Sequence, residues 1–280
     1  MKFFSPRHKK IPRSLLWLIL TLSGFAVVLF FLAASSVFAP ADPEPVPTGI
    51  SNNTTANTVT SENPTNIVEP KPIEAVVVPK VLPVVTTIQD VPFTSQSPLK
   101  EWSDKRQQDA CEEASALMAV AWARGTAIGT PQKARDTILA AYAYEVANFK
   151  NGYDTNAEDT ANHIIKGYFS YENAETRTNI KIADIIQEIM KGNVVITPMN
   201  GQALKNPYFT SPGPERHMLL IRGYDAETRE FITNDPGTSR GEGYRYKEQL
   251  FFDAIREYPS GDHVPIIGTK KSMIVVSKVD

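Results

Sequence analysis

Three residues of this chain could do chemistry together: Cys111, His217 and Asp235. Cys111 is the only cysteine. A thiolate is a strong nucleophile, an imidazole moves protons near neutral pH, and a carboxylate can hold one imidazole nitrogen while the other faces the nucleophile. Such a set performs acyl transfer through a thioester. Each residue also has a plainer reading on its own. A lone cysteine among small apolar residues is commonly a buried hydrophobe. His217 alone reads as a strand-edge histidine, and Asp235 as the carboxylate of an Asn-Asp-Pro-Gly turn. Only their joint arrangement points to hydrolysis, so the argument passes to the elements that carry them.

The stretch QQDACEEASALMAVAWARG, residues 107–125, has Ala114, Leu117, Met118, Ala121 and Trp122 at helical spacing. Asp109 is the expected N-cap and Gly125 the stop. Cys111 then lies at the tip of a buried helix, where unpaired N–H groups and the helix dipole favour a thiolate. Glu112 and Glu113 are read as first-turn acids that point in different directions, a poor carboxylate pair. Their charge would raise a thiol pKa, and a nearby imidazolium must outweigh it. The histidine arrives in HMLLIRGY, residues 217–224, which reads as a strand. A polar turn, 225–229, and a returning strand, 230–233, complete a hairpin. With the turn centred on Ala226, Asp235 stands directly opposite His217, at the roughly 4.5–5.5 Å Cβ spacing of cross-strand neighbours. A slip of one residue would put Asn234 or Pro236 there instead.

The elements around them suggest an α+β domain. A helix is expected over 132–149 behind Pro131. Another opens at Asn156 or Asp159 and runs through His163 and Ile164. A third opens at Thr178 or Asn179, carries Ile182, Ile185, Ile186 and Ile189 on one face, and ends at Gly192. Residues 194–197 read as a buried strand, 246–255 as a helix and 272–279 as a final strand. Helices first and antiparallel strands second is the α+β order.

The segments VPFTSQ, QQDACEEASALMAV, RHMLLIRGYD and FITNDPGT resemble those of family thirty-nine of the cysteine peptidases, the papain-like, bacteriocin-leader-processing peptidases and their stand-alone relatives. The resemblance covers most of residues 91–280. It implies a papain-like fold, an N-terminal helical part followed by an antiparallel sheet. It also implies Cys111 as nucleophile, His217 as general base and then acid, and Asp235 as the group orienting the imidazole. The family binds the oxyanion with a glutamine upstream of the cysteine. Gln108 is nearer in sequence, whereas Gln96 sits in the matching VPFTSQ segment; the reading leans to Gln108 and keeps Gln96 open. Glu112 stands where the family usually has glycine. No G-x-x-x-x-G-K-[ST] motif is present, so leader processing coupled to an attached ATP-driven transporter is not expected.

The rest of the chain concerns location. A basic segment, 1–13, precedes an uncharged apolar run that ends at Ala39. From Leu15 this run would extend about 37 Å as a helix, enough to cross a bilayer core of about 30 Å. The expectation is a membrane anchor over 14–39 with the basic flank in the cytoplasm, a cleaved signal peptide being the rival. Residues 40–86 are rich in Pro, Thr and Asn and read as a tether, and 87–280 as the extracytoplasmic peptidase domain. A net charge of -2 gives no case for nucleic acid. His163 and His263 lack companions at metal-ligand spacing, so neither metal nor cofactor is expected. The expected partner is a peptide or protein substrate, with cell-wall peptide among the candidates. Trp102, Tyr153, Tyr168 and Tyr208 are candidate groove aromatics, and residues 206–215 a candidate lid. The rival functions are a papain-like peptidoglycan amidase or endopeptidase and a silent peptide- or wall-binding module.

Overall fold

The computed structural model describes residues 85–279. The expected anchor, basic segment and nearly all of the tether lie outside the described residues. Among those described, no helix is long and apolar enough to cross a membrane.

The chain enters through a two-residue strand, β1 (Thr87–Ile88), and a short helix, α1 (Lys105–Gln108). The cysteine helix follows as α2 (Cys111–Ala123), with Gly125 in the left-handed conformation just beyond its end. Every residue of α2 except Ala123 is buried. A helix that is apolar or small all round must be covered on every side, and here three elements cover it. The first is α3 (Pro131–Phe149), capped by Thr130 as its Pro at N1 suggests. The second is a π-helix, Thr160–Tyr168, entered through one α-turn, α4 (Ala157–Asp159), that Asn156 caps. The third is the sheet.

That sheet has the order β2-β7-β3-β4-β5-β6, with β1 added to β4, and every pairing is antiparallel. Its strands are β2 (Ala174–Thr178), β3 (Val194–Met199), β4 (His217–Asp225), β5 (Glu230–Asn234), β6 (Tyr244–Lys247) and β7 (Ser272–Val276). Met118, Ala119 and Trp122 of α2 share one core with Met218 and Leu220 of β4, Ile196 of β3 and Ile274 of β7. The opposite face packs Leu219, Ile221, Val195 and Phe231 against Ile185 and Ile189 of α5 (Ile182–Met190) and Phe251 of α7 (Glu248–Ala254). A one-turn helix, α6 (Gly201–Leu204), follows β3. Alternate residues of β4 thus serve two cores, as a central strand requires. The fold is α+β and papain-like, helices first and antiparallel sheet second.

Several local expectations need correction. Asp109 does not cap α2: it closes α1, and Ala110 takes the N-cap place with no side-chain bond. The isoleucine-faced helix opens at Lys181, with Asp184 accepting the Lys181 N–H; Asn179 instead takes a left-handed turn before it. Tyr246 belongs to β6, and the helix begins only at Glu248. β2 reads AETRT, and its lack of apolar alternation hid it.

The hairpin register also differs. His217 lies opposite Met199 of β3, and Leu220 pairs with Asn234, so Asp235 stands two residues off the position facing His217. The turn spans 226–229 rather than centring on Ala226, which shifts the pairing by three residues, and a bulge between Ile221 and Gly223 takes one back. The bulge inserts one residue into β4 and changes which residues face which core. An unbroken register from the turn would pair Leu220 with Asp235 and send His217 to the other face. The bulge instead leaves His217 and Asp235 as diagonal neighbours on one face.

Candidate active site

His217 begins β4 and Asp235 follows β5 directly, and both are buried, at 2% and 0% exposure. His217 Nε2 and Asp235 Oδ1 are 2.8 Å apart. An ionised carboxylate only accepts, so Nε2 carries the proton and Nδ1 keeps its lone pair. The carboxylate is held at four points. Oδ1 also accepts from the Gly237 N–H at 3.0 Å. Oδ2 accepts from the Tyr246 hydroxyl at 2.7 Å and the Asn206 amide at 3.3 Å. Burial alone would raise the Asp235 pKa; the electrostatic contact with His217 and these hydrogen bonds outweigh it and hold the acid below its usual range. The Phe209 ring meets the imidazole edge-on at 5.3 Å between centroids.

Two glycines allow this close fit. A Cβ on Gly237 would sit 2.9 Å from His217 Cε1 and from Phe209 Cε1. A Cβ on Gly241 would sit 1.8 Å from the Asp235 carbonyl oxygen, which no side-chain adjustment can relieve. The turn signal of Asn-Asp-Pro-Gly therefore has a second use, since its glycine lets the imidazole lie against the backbone.

Cys111 is the first residue of α2, and its side chain reaches the same cleft as His217. That cleft measures about 600 Å³ and is also lined by Gln96, Trp102, Gln108, Tyr208 and Phe209. Two of the four candidate aromatics therefore reach it. Tyr153 instead packs on Tyr142, and Tyr168 on Tyr144 and Phe169. Ala110 offers no capping side chain to the first N–H groups of α2. The candidate lid contributes Tyr208, Phe209, Thr210, Pro214 and Glu215 to the wall.

The two glutamines differ in what their amides hold. Gln96 is buried, and its Nε2 donates to the Gln107 carbonyl at 3.0 Å and the Gln108 carbonyl at 2.6 Å. Both of its protons are thereby used. Gln108 Nε2 donates once, to the Trp102 carbonyl at 2.5 Å, and keeps one N–H.

The thiol does not sit as the helix-tip argument suggests. Its Sγ donates to Glu112 Oε2 at 3.0 Å, and no hydrogen bond joins it to His217 among the described residues. Burial pushes the Cys111 pKa well up, and the Glu112 charge and hydrogen bond add to that; the Met218 N–H opposes them. Glu112 and Glu113 do lie in the first turn, and both are buried, at 1% exposure each. Burial and the Asp154 charge push the Glu112 carboxyl up to about 7. Glu113 meets Glu145 of α3 in the interior, where their four oxygens have no other partner. The sequence could not show this, because partners 32 positions apart in numbering have no local signature.

Two other histidines lie among the described residues. His163 stacks on Phe149 with 3.6 Å between centroids, and Asp159 lies 3.5 Å from its Nε2. His263 Nδ1 lies 3.1 Å from Asp154 Oδ2, which also takes Arg216 Nε at 3.1 Å, on the rim of the cleft. Among the described residues, no group of three metal-ligating side chains converges.

With this geometry in place, comparison with known proteins adds the following. The model of the Peptidase_C39 like family matches residues 88–259, a span that includes Gln96, Gln108, Cys111, His217 and Asp235. No curated protein matches the chain. A crystal structure described as that of a C39-like peptidase from Bacillus anthracis is similar over 70% of this chain and 99% of that one, at 16% identity and a TM-score of 0.42, and carries no argument beyond the family match.

Proposed function

This chain belongs to the Peptidase_C39 like family, and on that premise we propose that it is a membrane-anchored, extracytoplasmic cysteine peptidase. Membership supports a cysteine peptidase as the coarse reading. The observation that carries the finer one is the buried His217–Asp235 pair opening onto the same cleft as the single cysteine.

Catalysis follows from that arrangement. The Cys111 proton passes to His217 Nδ1, and the sulfur attacks the scissile carbonyl to form a tetrahedral intermediate. Its oxyanion is received by the Cys111 backbone N–H and by the remaining N–H of Gln108. Gln96 supports this by holding the carbonyls of residues 107 and 108. The imidazolium then protonates the leaving amine, leaving a thioester, and neutral His217 later activates the water that hydrolyses it. Asp235 keeps the imidazole in the Nε2–H tautomer throughout. Residues 14–39 anchor the chain, 40–86 set the domain off from the bilayer, and the substrate is a peptide, protein or cell-wall peptide outside the cytoplasm. The apolar run with its basic flank supports that location.

One observation favours a second reading, a silent peptide- or wall-binding domain: the thiol is bonded to Glu112 rather than to His217. The test is the full-length protein against a peptide mixture and against purified cell wall, with Cys111→Ala beside it. The peptidase reading expects cleavage by the parent and none by the variant. Equal turnover by both refutes the role of Cys111, and binding without cleavage by either supports the silent domain.

A further inference from the structure

Glu112 is an unusual neighbour for a nucleophile, because a buried carboxylate beside a thiol opposes its ionisation. It is nonetheless firmly held. Oε1 accepts from the Tyr258 hydroxyl at 2.6 Å and faces the Thr155 N–H at 3.4 Å. Oε2 has one partner, the Cys111 thiol. Tyr258 is itself nearly inaccessible, at 1% exposure. One oxygen is therefore anchored by the scaffold and the other is given to sulfur.

We propose that Glu112 is a positioning residue that holds Cys111 as a resting thiol, so that the nucleophile becomes available only when its sulfur exchanges this carboxylate for His217. The inference rests on the peptidase reading and adds a latent state to it. Above about pH 7, where the Glu112 carboxyl is ionised, the resting proton is on sulfur and the negative charge on Glu112. On exchange the proton moves to His217 Nδ1, and the sulfur lone pair attacks the carbonyl carbon. Glu112 keeps its charge throughout, stabilised by Tyr258 and Thr155, so no further reactant is needed.

The charges around Glu112 fit that assignment. Its own helix presents Cys111 and Glu113, α3 presents Glu145, the segment before α4 presents Asp154, and the segment after α7 presents Tyr258. The nearby Arg216 and His263 side chains are engaged by Asp154. The groups that face Glu112 itself are acids or weak acids, so the pocket disfavours a second negative charge and keeps the proton on sulfur. A purely structural role would need only an acceptor of the same shape, which glutamine supplies.

That difference defines the experiment. Iodoacetamide alkylation of the single cysteine is followed against pH in the full-length parent and in Glu112→Gln. The amide keeps the shape and the acceptor but loses the charge, so the alkylation midpoint should fall by about one to three pH units. An unchanged or higher midpoint overturns the proposal. The unmodified protein gives a second readout should the variant not fold. One cysteine means one S–H stretching band in the Raman spectrum, expected at pH 7 at the lowered frequency of a hydrogen-bonded thiol. Absence of that band at pH 7 overturns the proposal. Neither measurement needs peptide turnover, so failure of the latent state and failure of the peptidase reading are told apart.

Discussion

At the scale of single residues, the site depends on how tightly Asp235 is held and on which proton it fixes. The aspartate accepts from His217, Tyr246, Asn206 and Gly237. Replacing it with asparagine would let the imidazole adopt the wrong tautomer, and a loss of about a thousandfold or more in kcat is expected. Tyr246→Phe removes one hydrogen bond to a buried charge, worth about 1.5–3 kcal/mol, so a loss of about ten- to a hundredfold is expected. Steady-state kinetics on a cleaved peptide checks both, and a Tyr246→Phe enzyme with parental kcat would show that this bond does not position the acid. Cys111, His217 and Asp235 were legible as candidates from their residue types and positions, and the structure pairs His217 with Asp235 and opens His217 and Cys111 onto one cleft. Tyr246 was not legible, because its place was read as helical and only β6 brings its hydroxyl to Oδ2. The Glu112–Tyr258 contact was also hidden, since its partners lie 146 positions apart in numbering.

At the scale of elements, α2 and the β4–β5 hairpin bring the site together. The helix was legible from spacing because its apolar run is long and ends in Gly125. The two strands were legible in extent, but their register was not, since neither the centre of the polar turn 226–229 nor a bulge leaves a pattern in one sequence. The bulge has a testable consequence. A variant lacking Arg222 would remove the bulge yet keep Leu220 opposite Asn234, and so keep His217 diagonal to Asp235. Peptide hydrolysis should be retained, and the far-ultraviolet circular dichroism should keep the signature of a folded α+β protein. Loss of hydrolysis in a variant that still folds would mean that the pair depends on the inserted residue. Gly237→Ala probes the same hairpin more gently: its methyl would press on His217 and Phe209, so kcat should fall more than Tm does.

At the scale of the whole molecule, the buried acids make stability depend on pH. Burial and the charges of Glu112 and Asp159 push Glu145 up to about 9, against 4.5 unperturbed, and Glu113 is also raised well above its usual range. A raised carboxyl binds its proton more tightly in the folded state. Its stabilising contribution is therefore complete below about pH 4.5 and is lost as the pH rises toward 9. Each pH unit inside that window costs at most about 1.4 kcal/mol per group, and 1 kcal/mol moves Tm by about 2–4 °C in a domain of this size. The Tm of the protein should thus fall by about 10 °C or more between pH 5 and pH 9. Glu145→Gln should flatten the profile, and a flat profile in the parent would contradict a buried protonated pair.

The central claim is that Cys111 attacks the substrate carbonyl with help from His217, and its most direct test is the mass of the enzyme itself during turnover. Full-length protein mixed with an activated peptide ester and quenched in acid should gain the mass of the acyl group. Fragmentation should place that group on Cys111 in the parent, with no adduct in Cys111→Ala and a strongly slowed one in His217→Ala. An acyl group on any other residue, or undiminished ester turnover by Cys111→Ala, would contradict the account.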